Sequence, residues 1–417
     1  MSFPPAGQPP ALLAQTAGLT PFAQMIFQGA DLTSAWSRLA DRVTADPSDA
    51  GAMHDLAMLM QLTGRRQDGL ALQAAALELS QVYCRAHGDG AGLRLLALVT
   101  PGDFMANTPL DFLLEGSDVT VTYLYLTAEA GLPSQIPDHD VAFLAIGESA
   151  ANREVLQMLA PALAAWPRPL INGAADRIEA LTRDGVVAMC ATLPGVLAPA
   201  AVQIDAGQAF DIATGKTPLS RLLPGGRLPV IIRPLGSHAG QSLSKIDSLA
   251  ELAAYLAQQP NCDFYLSQFI DYRDADGLYR KQRVAMIDGQ PFISHMAVSE
   301  HWMVHYLNAQ MNTRADRRAE EAAFMADFED GFAQRHADAF AALHTAFGLD
   351  YFAIDCAELS DGRLLLFEAD VAMIVHALDC PTLYPYKQAP MRKLFAGFQA
   401  HLAAVAGGQS GQAVRAA

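Results

Sequence analysis

A short loop after an apolar segment carries side chains suited to binding phosphate. Residues 228–232 have the pattern of a buried strand and lead directly into Arg233 and a loop of small residues. Backbone amides of such a loop can approach phosphate oxygens closely, and Arg233 can neutralise their charge. The pattern predicts a polyphosphate ligand, although an ordinary Gly-rich hairpin turn would look the same. The loop residues concerned are Gly236, Ser237, His238 and Gly240.

Three carboxylates near the end of the chain form a second candidate site. Glu368 and Asp370 are two residues apart in an apolar run, so on a strand both point to the same face. The Asp-Gly pair at 361–362 can fold this run against the strand that contains Asp355. Three converging carboxylates would repel each other unless a cation joined them, and oxygen ligands of this kind suit Mg²⁺. Alternatively, one or two of them face solvent.

Strands and helices alternate along most of the chain and must position these residues. From residue 92 to 172 four short strands alternate with helices, which is typical of a small parallel α/β unit. A strand-rich part follows, then a long polar helix over about 314–347 and a last hairpin. The sequence therefore predicts an α/β (α+β) protein with several domains.

The N-terminal part has a different texture. Residues 1–30 are rich in Pro and Ala, and we expect them to be only partly ordered. Three helices are predicted between residues 31 and 90, with the third continuing to about Arg85, and their lengths and Gly turn resemble a tetratricopeptide-type repeat. A plain helical cap is the alternative. The last residues, 406–417, are predicted to be a disordered tail.

Composition limits the function classes. The formal net charge of -16 argues against a nucleic-acid or anionic-membrane partner, and no apolar run is long enough to span a membrane. The five scattered cysteines lack CxxC spacing, which indicates reduced thiols and a cytoplasmic protein.

The order of these motifs resembles the ATP-grasp superfamily of carboxylate-amine ligases, most closely its RimK-like and glutathione-synthetase-like members. The corresponding stretches are "PLINGAADRIEALTRDG", "IIRPLGSHAG", "LSQFID", "KQRVAMIDG", "FAIDC" and "FEAD". The resemblance covers roughly residues 92–402 and implies an ATP-grasp domain over 176–405, preceded by a small α/β domain over 91–175.

The resemblance also implies roles for particular residues. It places adenine and ribose at a hinge formed by Gln268, Phe269 and Ile270, and it assigns stabilisation of a tetrahedral intermediate to Arg283. ATP and Mg²⁺ would be the cofactors, with the metal on the residues of the carboxylate hairpin: Asp355, Glu368 and Asp370.

Four positions depart from the family pattern. Arg233 stands where the family has a phosphate-binding lysine, and Gly185 stands where it has a second one. Gln268 replaces the hinge acid, and Asp370 replaces the last metal-binding asparagine. These departures leave open a scaffold of this fold that no longer catalyses.

Between the Arg-bearing strand and the last hairpin lies a segment dense in polar aromatic residues. His301 and His305 are four apart and could share a helical face, but no third zinc ligand is obvious, so substrate recognition or acid/base chemistry is favoured. His295, Trp302 and Tyr306 lie close by, and packing is favoured for the last two.

The leading hypothesis is an ATP-dependent ligase that joins a carboxylate to an amine through an acylphosphate. The N-terminal helices suggest a peptide or protein substrate, as in peptide modification, and a small metabolite is the other option. A noncatalytic binding protein and a phosphotransferase that stops at the phosphorylated product are the alternatives. The resemblance also allows a homo-oligomer.

Overall fold

The computed structural model describes residues 13–237, 240–260, 262–306 and 308–408. Helices and strands are mixed along the chain, and the strands form three sheets, so the predicted α+β class is confirmed. No helix within these ranges is long and apolar enough to cross a membrane. All five cysteines are free thiols, as the sequence predicts.

Four helices form the N-terminal part: α1 (Leu19–Phe27), α2 (Thr33–Ala45), α3 (Ala50–Leu62) and α4 (Arg66–Leu79). They share a small apolar core in which Phe22, Leu39 and Leu59 are buried. The carboxylate of Asp49 caps α3 by accepting a hydrogen bond from the backbone N–H of Ala52. The tetratricopeptide-like character of these helices stays a prediction.

Ordered structure precedes residue 30, where β1 (Ala14–Gln15) and α1 lie. Residues 1–12 lie outside the described ranges, so the partial order expected for residues 1–30 stays a prediction. One expectation for this part is wrong. The third predicted helix does not continue to Arg85 but ends at Leu79. It is followed by the strand β2 (Val82–Ala86), which pairs with β1 and with a later strand of the first sheet. Pairing within the sheet overrides the local helical pattern, and Tyr83 is fully buried there.

The first sheet is mostly parallel and confirms the predicted small α/β unit. Its order is β1-β2-β4-β3-β5-β6, and β3 pairs in parallel with both β4 and β5. Every residue of β5 is buried, as expected for a strand covered on both faces. The remaining elements of this unit are β3 (Arg94–Val99), α5 (Leu110–Leu113), β4 (Thr120–Tyr125), β5 (Val141–Leu144), α6 (Arg153–Ala164) and β6 (Leu170–Ile171).

The second sheet is antiparallel, with the order β10-β9-β11-β8. Val230, Ile232 and Leu266 are buried against the helices on one face. Side chains alternate along a strand, so Ile231 and Arg233 lie on the other face. The elements leading into and forming this unit are α7 (Ala175–Glu179), α8 (Arg183–Cys190), β7 (Val196–Leu197), β8 (Ala201–Ile204), α9 (Ala206–Ala213), β9 (Val230–Pro234), β10 (Ser244–Ile246), α10 (Leu249–Ala257) and β11 (Phe264–Gln268).

The third sheet has the order β13-β12-β14-β15-β7, and β7 joins it in parallel at one edge. Val284, Phe352 and Ile354 on one face pack against the helices that follow β13. The predicted helix over 314–347 is two helices separated by a π-helical turn at Glu329–Ala333. The elements are β12 (Tyr279–Ile287), β13 (Gln290–Ser299), α11 (Ala315–Asp327), α12 (Ala337–Phe347), β14 (Tyr351–Glu358), β15 (Leu364–Asp370) and α13 (Gln388–Ala406).

Candidate functional site

The hairpin of β14 and β15 brings the three predicted carboxylates together. Asp355 is the register partner of Glu368 on one side and of Arg283 on the other, and Asp370 pairs with Ala353 two residues away. The period of two therefore places all of these side chains on one face of the third sheet, as the sequence predicts.

Asp355 is bound by two cations. Lys281 Nζ donates to Asp355 Oδ2 at 2.8 Å, and Arg283 Nε donates to Oδ1 at 2.8 Å. Burial alone would raise the pKa of Asp355, but Arg283 and Lys281 outweigh it and hold that pKa well below its usual range. Arg283 also donates from Nη1 to the carbonyl of Ile374 at 2.9 Å. Asp355 and Arg283 are thus partners in one ion pair.

Glu368 is paired with an arginine that the sequence analysis did not select. Arg183 Nη2 lies 2.6 Å from Glu368 Oε1. Burial would raise the pKa of Glu368, but Arg183, helped by Arg233 and Lys281, lowers it. The influence of Arg233 on Glu368 indicates that the end of β9 lies within electrostatic range of β15.

Asp370 is the one of the three carboxylates whose surroundings disfavour its charged form. Burial, followed by repulsion from Glu368 and Glu148, raises the pKa of Asp370 to about 7, although its carboxylate accepts a hydrogen bond from the N–H of Ala372. Burial likewise raises the pKa of Glu148, which follows β5 in the first sheet. A cation near Asp370 would relieve this repulsion.

Arg233 closes the loop predicted to bind phosphate. Its side chain is buried, its Nε donates to Ser237 Oγ at 3.0 Å, and its Nη2 donates to the Ser237 carbonyl. Burial, and then repulsion by Arg183, lowers the pKa of Arg233 to about 10, so it remains charged at neutral pH. Gly236 and Gly240 both have positive φ, which glycine adopts without strain. His238 lies outside the described residues.

The predicted hinge connects the second and third sheets. The amide of Gln268 is committed to the backbone of the preceding loop, because Oε1 accepts from Arg227 N and Nε2 donates to the Arg227 and Pro229 carbonyls. Phe269 contacts Trp302 edge to face, with ring centroids 5.9 Å apart. Ile270 packs in the apolar cluster below. The hinge therefore offers apolar surface, while the Gln268 side chain is occupied.

The backbone around position 185 leaves room for glycine only. A Cβ at this position would lie 2.1 Å from the carbonyl oxygen of Ala180, and the Gly185 N–H donates to the capping hydroxyl of Thr182. No side chain fits there without a backbone shift, so this backbone excludes a lysine at 185.

A cavity of about 570 Å³ lies between β10 and the segment after β13. Lys245, His301, Trp302 and Asn308 are among its lining residues. The ammonium group of Lys245 lies 4.9 Å from the Phe269 ring centroid, so the cavity adjoins the hinge.

The two predicted histidines lie in different surroundings. The segment 301–306 forms bends and turns, so the predicted shared helical face of His301 and His305 is wrong. Burial, followed by Lys281 and Arg283, lowers the pKa of His305, which places it near the charged face and keeps it neutral at pH 7. His301 is exposed and lines the cavity.

His295 and Tyr306 belong to a largely buried polar network beside the charged residues, and His295 is the register partner of Arg283. Their rings are 4.7 Å apart, and the Tyr306 hydroxyl donates to Glu321 Oε2 at 3.0 Å. Lys387 completes the network by donating to Tyr306 Oη at 2.6 Å and to Asp379 Oδ2 at 2.7 Å. This network fixes the segment that carries the candidate histidines.

The donor set fits Mg²⁺ in part. No group of three His, Cys, Asp or Glu side chains within the described ranges is arranged to hold a metal ion. Mg²⁺ usually takes one or two protein carboxylates and completes its shell with water and phosphate oxygens. Glu368 and Asp370 are two such carboxylates, and a cation would favour the charged form of Asp370. Asp355 is poorly suited because cations bind both of its oxygens.

Four charged residues of the site were missed in the sequence analysis. Lys281 could have been found, since it precedes Arg283 by two residues on the same strand and so shares its face. Arg183 and Glu148 come from other parts of the chain, and only the tertiary structure brings them to Glu368. Lys245 can be assigned to the site only from the register of β9 and β10, which pairs it with Ile231, two residues before Arg233.

For this chain, similarity to known proteins is found among solved structures. No protein-family model matches it, and no curated protein matches it. Among solved structures, it is similar to a RimK domain ATP-grasp protein from Sphaerobacter thermophilus, with a TM-score of 0.40 and 13% sequence identity. The alignment covers 73% of this chain and 98% of that chain.

Proposed function

We propose that the protein is an ATP-dependent ligase that joins a carboxylate to an amine through an acylphosphate, with a peptide or protein as the candidate substrate. One observation carries the proposal. Arg233 at the end of β9 and Glu368 on β15 influence each other's pKa, and Arg183 lies 2.6 Å from the same glutamate. A cation for phosphate thus lies near carboxylates that suit a metal.

The phosphate end of ATP would lie between the end of β9 and β15. Arg233 would neutralise the phosphate oxygens, together with backbone amides of the loop that contains Gly236 and Gly240. Glu368 and Asp370 would hold Mg²⁺, which would offset the charge that develops on the transferred phosphoryl group.

The nucleoside end would lie at the hinge. Phe269, Ile270 and Trp302 supply apolar and aromatic surface for a purine ring. Because the Gln268 amide is bonded to the backbone of the loop before β9, the ribose hydroxyls need another partner. Asp247 is the candidate, because it lines the adjoining cavity, where its Oδ1 accepts a hydrogen bond from Lys245 Nζ.

The reaction needs two displacements. A substrate carboxylate oxygen attacks the γ-phosphorus, the bond to the β-phosphate oxygen breaks, and ADP leaves. The amine nitrogen then attacks the acyl carbon, inorganic phosphate leaves, and the nitrogen loses a proton. In this proposal Arg283 would offset negative charge on the tetrahedral oxygen, and His305, whose lowered pKa favours the neutral form, would accept the proton.

A noncatalytic binding protein on the same scaffold is the second candidate. The observations that favour it are the occupied amide of Gln268, the steric exclusion of a lysine at Gly185, and the pairing of Asp355 with Lys281 and Arg283. Such a protein could bind a nucleotide or a partner without turnover.

Calorimetric titration with ATP, with and without Mg²⁺, tests the nucleotide site. We expect ATP binding that Mg²⁺ tightens in the wild type, and a smaller effect of Mg²⁺ in Glu368→Gln. Glu358→Gln is the matched control, because Glu358 lies on the same hairpin and pairs with Arg335. No binding by the wild type at millimolar ATP would overturn the proposal.

Turnover separates the candidate functions. A ligase releases ADP and inorganic phosphate only when both a carboxylate and an amine are present. A phosphotransferase releases ADP without free phosphate, and a binding protein releases neither. Peptides of varied sequence, and small amino acids as a second set, are the substrates to screen.

A further inference from the structure

Arg183 stands at the first turn of α8, directly after the capping residue Thr182. Its guanidinium group lies 2.6 Å from Glu368 Oε1, and the two side chains are 26% and 40% exposed. The pair joins residues 185 positions apart in sequence, and it spans from the helix to the carboxylate hairpin. Arg183 therefore covers one of the carboxylates that would hold the metal.

Arg183 also lies near the phosphate-binding arginine. Arg233 is 8% exposed, and repulsion by Arg183 contributes to the lowering of its pKa. The guanidinium groups of Arg183 and Arg233 repel each other, and both interact with Glu368. A multiply charged anion bound between them would reduce this repulsion. The ion pair of Arg183 is with Glu368, and Glu148 and Asp370 are also within its electrostatic influence.

No other cation from the same helix could take this role. A side chain at 185 would collide with the Ala180 carbonyl oxygen at 2.1 Å, so α8 cannot present a lysine there. Arg183 is two residues earlier on the same helix and already reaches β15. Its length and its planar group suit phosphate oxygens.

We propose that Arg183 is a phosphate-binding residue masked by Glu368, and that nucleotide binding makes the two exchange partners. The phosphates take Arg183, and the released Glu368 turns to the cation that it would share with Asp370. The inference rests on the proposed function, since it names a further residue of the same nucleotide site. It predicts effects of opposite sign for the two members of one ion pair.

Calorimetry with ATP in the presence of a chelator tests the exchange. Arg183→Ala should weaken metal-free ATP binding at least tenfold, because it removes a charge-assisted contact. Glu368→Gln should tighten metal-free ATP binding at least threefold, because it removes a negative charge and frees Arg183. In the Glu368→Gln background, Arg183→Ala should then cost more than it does in the wild type.

A second titration uses MgCl₂ alone. Arg183→Ala should bind Mg²⁺ at least threefold more tightly than the wild type, because Glu368 is no longer paired. Arg183→Lys keeps the charge and should retain part of the ATP affinity, so it serves if Arg183→Ala fails to fold. Arg177→Ala is the matched control, because Arg177 is an exposed arginine of the neighbouring helix α7.

The outcomes separate this inference from the proposed function. If the wild type binds ATP and Arg183→Ala binds it equally well, the exchange is refuted while the nucleotide site stands. The same holds if Glu368→Gln weakens metal-free ATP binding. If the wild type binds no ATP under any condition, the proposed function fails and the exchange fails with it.

Discussion

Replacing Asp355 by asparagine should destabilise the protein without any ligand present. The carboxylate is 3% exposed and accepts three charge-assisted hydrogen bonds, one from Lys281 and two from Arg283. Asparagine has almost the same volume, but it leaves two largely buried cations without a counter-charge. Breaking a buried ion pair in this way costs about 3–5 kcal/mol.

Urea unfolding of the wild type and the variant measures this loss, followed by fluorescence and by circular dichroism. The chain forms several units, so the change should be read from the transition in which the third sheet unfolds. Asp361→Asn is the matched control, because Asp361 lies in the turn of the same hairpin and pairs with Arg363 at the surface. It should cost about 0–1 kcal/mol.

A third variant tests the cause. Removing the stranded cations as well, with Lys281→Met and Arg283→Leu in the Asp355→Asn background, should recover part of the lost stability, since no unpaired charge then remains buried. An Asp355→Asn protein as stable as the wild type would refute the ion-pair role. If it also failed to bind Mg²⁺, Asp355 would be a metal ligand, as the family resemblance implies.

Three further results are expected. Arg283→Ala should leave ATP binding nearly intact and reduce turnover by about 10²–10³; equal loss of both would refute its assignment to the intermediate. Burial lowers the pKa of His54 from 6.5 to about 4, although Asp111 acts in the opposite direction. The free energy of unfolding therefore has its full contribution from neutral His54 above pH 6.5. It falls by up to about 3 kcal/mol as the pH drops towards 4. His54→Gln should flatten that pH profile in thermal unfolding. Gly185→Ala should cost about 1–3 kcal/mol because its Cβ meets the Ala180 carbonyl, whereas Gly207→Ala in α9, with its nearest contact at 3.2 Å, should be neutral or stabilising.

The parts of the site that follow from local periodicity could be predicted from the sequence. Glu368 and Asp370 share a face because they are two apart on a strand. Their register with Asp355 does not follow from the Asp-Gly turn, because a register shift between Asp355 and Cys356 brings Glu368, and not Phe367, opposite Asp355. Once β12 pairs with β14, Arg283 lies on the same face as Asp355. Strand geometry therefore predicts the shared faces, whereas the register shift could not be predicted from the sequence.

Other features depend on contacts between distant parts of the chain. The strand Val82–Ala86 has a helical pattern, and only its pairing with β4 makes it a strand. The spacing of His301 and His305 indicates a helix, but the chain there turns, and the buried network around Tyr306 and Glu321 holds it in place. Local propensity is a weak guide where tertiary packing decides the conformation.

The charged residues around Asp355, Glu368 and Asp370 explain how an acidic protein could bind a polyanion. The chain carries a formal net charge of -16, but charges farther away than about 8–10 Å are largely screened at physiological salt. Around the carboxylate face, four cations influence the pKa of Asp355 or Glu368, namely Arg183, Arg233, Lys281 and Arg283. A pKa of about 7 leaves Asp370 partly neutral at physiological pH. Each of the two fully ionised carboxylates is bound by a cation, Asp355 by Arg283 and Lys281, and Glu368 by Arg183. The net charge near these carboxylates therefore depends on which cation each of them is paired with. A ligand that brings its own cation can change this pairing without changing the fold.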